Sequence, residues 1–199
     1  MREQQGQKIW KKYLEADEIH GKTVGILGLG NIGRVIAQKC KSMGMRVIAL
    51  DIQPVEDTMV DRAYSVRDAL SLMQESDYVV ITLPLTPDTE RLVGEAQLRA
   101  MKRTAYLINV ARGRIVDEPA LIKALAEGWI AGAGLDVFES EPLPPTSPLW
   151  SLPNVILSPH MSAISPYYMD RAIAVFCENL QRFIRGEALL YELNWDTGF

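Results

Sequence analysis

The chain has 199 residues, 48% of them hydrophobic and 23% charged, and its 21 basic and 25 acidic side chains leave a net charge of −4. That balance excludes a disordered or low-complexity chain and predicts one soluble domain with a real core, since domains run to roughly 100–200 residues. The mild acidity disfavours nucleic acid and anionic membranes as partners, and with no apolar run near the roughly 18 residues of a membrane span and no signal-like N-terminus, a cytoplasmic protein is expected.

Residues 1–18 are polar, with Trp10, Tyr13 and Leu14 at helical spacing, and predict a helix that precedes the first strand. Thr23 to Leu27 then predicts a short apolar strand. Ile32, Val35, Ile36, Cys40 and Met43 follow at helical spacing until Gly44 supplies a stop. Arg46–Leu50 predicts the second strand, Val66–Met73 a short helix, Tyr78–Leu83 a third major strand and Glu95–Met101 another helix. Tyr106–Val110 continues the series, and a helix announced by Asp117 and Pro119 ends at Gly128. Ala131–Val137 and Val155–Ser158 complete the strands. A long helix is predicted from Ser165-Pro166 to Gly186, with Ile173, Phe176, Leu180, Phe183 and Ile184 on its apolar face. Most of the strands are apolar on both faces, which predicts a doubly wound α/β fold: a parallel sheet covered by helices on both sides, spanning residues 19–164 and flanked by the two outer helical segments. Cys40 and Cys177 fall in helical stretches without the spacing of a zinc or redox pair, so no metal site is expected and both are expected to be buried thiols.

Gly28-Leu29-Gly30-Asn31-Ile32-Gly33 matches G-x-G-x-x-G, a pattern that gains weight because a strand precedes it and a helix follows it. The first glycine permits the tight turn, the second lets a dinucleotide pyrophosphate approach the backbone, and the third lets helix and strand pack closely. Asp51, at the end of the next strand, is placed to accept hydrogen bonds from the adenosine ribose. A 2′-phosphate there meets a carboxylate, and Ile52-Gln53-Pro54 brings no arginine, so NAD is favoured over NADP.

In a parallel sheet, whatever follows the strand ends gathers on the edge that carries the glycine loop. Arg112 follows one strand, Glu139 and Glu141 follow the next, and His160 follows the last. A histidine suits the proton transfer that accompanies hydride transfer at a hydroxyl-bearing carbon, a carboxylate orients it, and arginine's planar fork suits a substrate carboxylate. The spacing does not separate the two glutamates. Asp136, in an apolar strand, reads either as a ligand to the nicotinamide end or as a satisfied structural acid, and His20 sits at the opposite edge, facing solvent.

These residues together resemble the coenzyme-binding, Rossmann-type domain of the D-isomer-specific 2-hydroxyacid dehydrogenases. The likeness is carried by Gly21 to Gly33, Leu83 to Thr89, Asn109 to Gly113, Gly134 to Pro142 and Ser158 to His160. It implies hydride transfer between NAD and C2 of a small D-2-hydroxy or 2-oxo acid. Within that reaction it assigns Arg112 to the substrate carboxylate, Glu141 rather than Glu139 to the histidine, and His160 to acid–base catalysis. It implies cofactor contacts from Gly28, Gly30, Asn31, Ile32, Gly33, Asp51, Thr82, Leu83, Pro84, Val110, Ala111, Arg112, Asp136, His160, Ser162 and Ala163, and a homodimer through this domain. Met161-Ser162-Ala163 departs from the commoner small-residue pattern after the histidine. Residues 1–18 resemble the interdomain helix, 165–199 the C-terminal helix and tail that return toward the substrate domain, and Tyr191 to Phe199 a normal family ending, so the expected truncation is at the front, where family members carry a substrate domain. The competing expectation is a non-catalytic, NAD-responsive binding module of the corepressor kind; other dinucleotide enzymes of this fold do not account for the spacing of Arg112, Glu141 and His160.

Overall fold

The computed structural model describes residues 5–10, 17–52 and 57–193. Seven parallel strands form one sheet: β1 (Thr23–Leu27), β2 (Arg46–Leu50), β3 (Arg62–Tyr64), β4 (Tyr78–Ile81), β5 (Tyr106–Asn109), β6 (Gly132–Leu135) and β7 (Val155–Leu157), in the spatial order β3-β2-β1-β4-β5-β6-β7. The chain winds outward from β1 in one direction through β2 and β3 and then returns to continue from β4 on its other side. The C-terminal ends of β1 and β4 therefore flank the crevice where ligands bind in sheets of this kind. Registers such as Leu27↔Leu50 and Leu27↔Ile81 align those ends on one edge.

The alternation of side chains along each strand divides the core in two. Val24, Ile26, Val47, Ala49 and Val80 point to one face, where α1 (Asn31–Ser42) covers them through Ala37 and Ile36. Leu27, Ile48, Leu50, Val79, Ile81 and Leu107 point to the other, under α2 (Ala69–Glu75), α3 (Glu95–Ala100) and α4 (Glu118–Ala126), which contribute Leu72, Leu98 and Leu121. The uninterrupted apolar runs of β1 and β2 follow from this burial on both sides. The helix signals act locally as expected: Asp117 Oδ1 accepts the Ala120 N–H at 3.0 Å to cap α4, and Gly186, at φ 69°, ends α5 (Tyr168–Arg185).

Four features differ from the sequence expectations. The edge strand β3 has three residues, two of them exposed, and carries no apolar period to betray it. The segment expected as one helix over Val66–Met73 divides into a 3-10 turn, Val66–Asp68, and α2. The last helix opens at Tyr168, and its apolar face is exposed, Phe176 at 66% and Phe183 at 73%. Cys177, on that helix, is exposed and Cys40 half-buried, which corrects the expectation of two buried thiols; an amphipathic period marks the apolar side of a helix without saying what covers it. The expected opening helix falls partly on residues 1–4 and 11–16, outside the described residues; Trp10 is exposed and residues 17–18 are not helical.

Gly25, in the middle of β1, lets α2 sit directly on the strand, because a Cβ there overlaps Ser76 Oγ and lies 2.6 Å from Leu72 Cδ2, both on fully buried residues. Gly25→Ala is expected to lower the unfolding free energy by about 1–3 kcal/mol, read as a lower urea midpoint at unchanged slope.

Candidate active site

The glycine loop leaves β1 at Gly28, whose φ of 100° and whose position 2.7 Å, by an added Cβ, from Leu83 N leave no room for a side chain. Its carbonyl accepts the Thr82 hydroxyl at 2.6 Å, which ties the loop to the end of β4. A Cβ on Gly33 overlaps Gly28 O, so this glycine sets the approach of α1 to the loop. Gly30 differs from both: it is exposed, and an added Cβ meets nothing within 4 Å. The space beside its backbone is open. As the N-cap of α1 it brings no side chain, and no acidic residue lies in the first turn, so the amides of a 12-residue helix remain available to an anion. Asn31 and Ile32 lie exposed at this terminus. At the end of β2, Asp51 Oδ2 accepts the Leu29 N–H at 2.5 Å, which holds the carboxylate beside the loop.

A cleft of about 430 Å³ runs from this loop along the sheet edge, walled by Ile32, Thr82, Leu83, Pro84, Val110, Ala111 and Arg112. The structure thus brings together seven residues that the sequence names as cofactor contacts. Leu85 joins them; its signal was its place in the same turn as Leu83 and Pro84. The loop behind it is stiffened by Thr89, fully buried, whose hydroxyl donates to Pro84 O and accepts the Thr86 N–H.

Of the three polar residues, Arg112 belongs to that wall, while Glu141 and His160 line a separate recess. Arg112 is exposed and donates to Ala111 O at 2.6 Å through one of its five N–H groups. His160 Nδ1 lies 2.7 Å from Glu141 Oε2, and Glu141 Oε1 accepts the Phe138 N–H at 3.0 Å. Glu139 lies 3.1 Å from Arg91 instead, so geometry distinguishes the two glutamates that the sequence could not. Burial raises the Glu141 carboxyl, but the His160 and Phe138 hydrogen bonds and the nearby charges of His160 and Arg112 outweigh it and hold the group below the usual carboxylate range. Glu141 and His160 form the polar end of a second, apolar recess of about 670 Å³ lined by Phe138, Pro142, Leu143, Trp150 and Leu157.

Asp136 is buried directly beneath the histidine. Its carboxylate accepts the Ser158 hydroxyl at 2.6 Å and the N–H groups of Met161 and Ser162 at 2.9 Å each, while its carbonyl accepts the His160 N–H at 2.8 Å. This set of bonds holds His160 at φ 49°, a left-handed conformation that few residues with a side chain adopt. Burial acts to raise the Asp136 carboxyl, yet the convergent donors leave it far below the ordinary value. Ser162 is one of those donors. Ala163 lies exposed just past it, outside the wall of the cleft. Asn109, which sequence reasoning did not place in the site, is 1% exposed; its side chain accepts the Ala111 N–H and donates to Arg112 O, both at 3.0 Å. Its signals were its place as a polar residue ending an apolar strand and at the head of the Asn109 to Gly113 stretch that carries the family likeness. His20 is exposed at the other edge, as expected.

Residues 1–162 match the D-isomer specific 2-hydroxyacid dehydrogenase, NAD binding domain, family. The chain belongs to this family. Among curated relatives, it is 47% identical over 170 residues to the glyoxylate reductase of Korarchaeum cryptofilum, an alignment that takes in 85% of this chain and 51% of that protein. Among solved structures, the D-isomer specific 2-hydroxyacid dehydrogenase family protein of Aeromonas salmonicida superposes with a TM-score of 0.90 at 36% identity, covering 97% of this chain and 61% of the other. The enzyme of that description from Xanthobacter autotrophicus, solved with NADPH and MES, superposes with a TM-score of 0.89 at 36% identity, covering 100% and 81%. The chain spans about half the length of the curated relatives it matches. The family match and these neighbours establish a nicotinamide-dinucleotide-binding domain of an oxidoreductase family; no helix among the described residues is long and apolar enough to cross a membrane.

Because the Asp136 carboxyl is lower in the folded than in the unfolded chain, its stabilisation is complete above roughly pH 4 and is lost as the pH falls below that. Asp136→Asn is expected to lower the urea midpoint at pH 7 and to flatten the decline of stability in acid. An acid decline equal to that of the parent removes Asp136 as the anchor of the His160 loop.

Proposed function

We propose that this domain carries the hydride-transfer site of an NAD-dependent oxidoreductase acting at C2 of a small D-2-hydroxy or 2-oxo acid, with glyoxylate, the substrate named for the relatives, first among those to test. One observation carries the reading: the 2.7 Å His160–Glu141 pair stands with Arg112 on the sheet edge that holds the dinucleotide cleft. The glycine loop fits such a cofactor, since Gly30 leaves open space at an uncapped helix N-terminus while Gly28 and Gly33 close the loop behind it. When bound, the nicotinamide ring accepts or donates the hydride.

The remaining work falls to the chain. With its Nδ1 proton donated to Glu141, His160 is left with Nε2 to deliver a proton to the C2 oxygen during reduction or to remove it during oxidation. The Glu141 carboxylate, held ionised, accepts from Nδ1 and fixes the ring's orientation. Arg112 has donors in fork geometry for the substrate carboxylate. At the adenosine end, Asp51 favours ribose hydroxyls over a 2′-phosphate, and Arg34, the arginine of α1, is already paired with Asp57 at 2.6 Å. These two features support NAD, although the Xanthobacter neighbour was solved with NADPH.

The test is NADH oxidation by the chain with glyoxylate, hydroxypyruvate and pyruvate at several protein concentrations. A rate linear in protein shows that the chain is an enzyme as it stands. NADH binding without consumption of any 2-oxo acid leaves a coenzyme-binding domain or the binding module, and the same result with the upstream sequence restored overturns the catalytic reading. Within an active protein, His160→Ala should lower kcat by about 10²–10⁴-fold with NADH affinity nearly unchanged; an unaltered rate removes the histidine from the mechanism. Asp51→Arg should shift the preference toward NADPH in paired titrations, and unchanged selectivity places the discrimination elsewhere.

A further inference from the structure

Arg112 and the His160–Glu141 pair sit on separate turns, after β5 and after β6 and β7, yet a shared substrate requires a fixed spacing between them. One glycine joins the turns. A Cβ on Gly113 overlaps the carbonyl carbon and oxygen of Phe138 and lies 2.5 Å from Glu139 N. All three are backbone atoms, so no flexible side chain can swing aside. Gly113 is buried and is not among the residues with positive φ, so its backbone conformation is open to alanine and only the neighbouring turn excludes a side chain. The peptide that it touches leads straight to the pair, because Phe138 N donates to Glu141 Oε1 at 3.0 Å and Glu141 Oε2 meets His160 Nδ1. On the other side of the contact, the buried Asn109 amide closes the turn that presents Arg112 by bonding Ala111 N and Arg112 O.

From this arrangement we infer that Gly113 and Asn109 are positioning residues: Asn109 fixes Arg112 within its turn, and Gly113 registers that turn against the Phe138–Glu141 turn by backbone contact. The guanidinium and the imidazole are thereby held at one separation. The inference rests on the reading of Arg112 as the carboxylate site and of His160 as the acid–base group.

Gly113→Ala in the full chain tests it by two readouts. His160 and His20 are the only histidines in the sequence, and His20 stands at the far edge with its ring against Gly44, so imidazole NMR signals separate the site from an internal control. The variant should displace the His160 ring signals while those of His20 stay in place. It should also lower kcat/KM for glyoxylate by about 10²-fold, the loss that follows a misplacement of about 1 Å, with NADH affinity retained. Gly134→Ala, whose added Cβ comes no nearer than 4.0 Å to Ile108, should leave both readouts unchanged. Asn109→Ala, which introduces no clash and serves if the first variant fails to fold, should raise KM for glyoxylate more than it lowers kcat, with the His160 signals in place. His160 signals of Gly113→Ala that superpose on the parent's overturn the register, and an unchanged KM in Asn109→Ala overturns the clamp. Should the parent turn over no 2-oxo acid, the functional reading and the KM readout are decided with the upstream sequence restored, while the imidazole spectra of the chain itself decide the register.

Discussion

Every functional element of this domain depends on the parallel direction of its strands. Because all seven run the same way, the loop after β1, the carboxylate after β2 and the turns after β4, β5, β6 and β7 emerge on one edge. An antiparallel neighbour anywhere in that series would send the next turn to the far side, where His20 and Lys22 lie. Parallel strands need crossover helices, and burial of both sheet faces under those helices is what makes the strands apolar throughout. The same constraint therefore writes the sequence pattern, closes the core and gathers the site.

Within that edge, precision comes from backbone contacts and buried polar groups more than from the residues that face a ligand. Arg112, Glu141 and His160 are all at least partly open to solvent. The residues beneath them are closed: Asp136 takes three donors and Asn109 bridges its own turn. A buried carboxylate is tolerated only when its acceptor capacity is filled, and here the donors are the loop that carries His160. The burial cost and the loop's backbone strain are offset in one set of hydrogen bonds. Loss of the carboxylate would expose both at once.

The fold and the course of the glycine loop were legible because their signals are local: a strand, a glycine pattern and a helix in immediate succession, then a carboxylate at the next strand's end. Glu141 against Glu139 was not legible from spacing, since both follow β6 within a few residues, and only the course of the turn sends one to His160 and the other to Arg91. The strand β3 escaped for the opposite reason, having three residues and two exposed side chains. Burial on helices was poorly legible from the period alone. On α1 only Ile36 and Cys40 of the predicted positions are half-buried while Ile32, Val35 and Met43 are exposed and the small Gly33 and Ala37 face the sheet, and on α5 the apolar side is uncovered. Asn109 and Gly113 stood in plain view in the sequence, but their meaning lies in which backbone atoms they approach, and no period or motif encodes a contact between turns 25 residues apart.

The openness of the His160–Glu141 pair bears on what the pair contributes. Its side chains are 50% and 34% exposed, and a charge pair in contact with water contributes on the order of 1 kcal/mol or less, because solvent screens the attraction. What the contact fixes at this exposure is orientation, because Glu141 engages Nδ1 and sets the plane of the ring. Covering the pair would change the balance, since the attraction between the carboxylate and the imidazolium strengthens as the local dielectric falls. The apolar recess beside the pair already supplies part of such an environment from Phe138, Pro142, Leu143, Trp150 and Leu157. The strand ends thus bring the pair and an apolar wall to one place, and the attraction within the pair grows with whatever excludes water from above it.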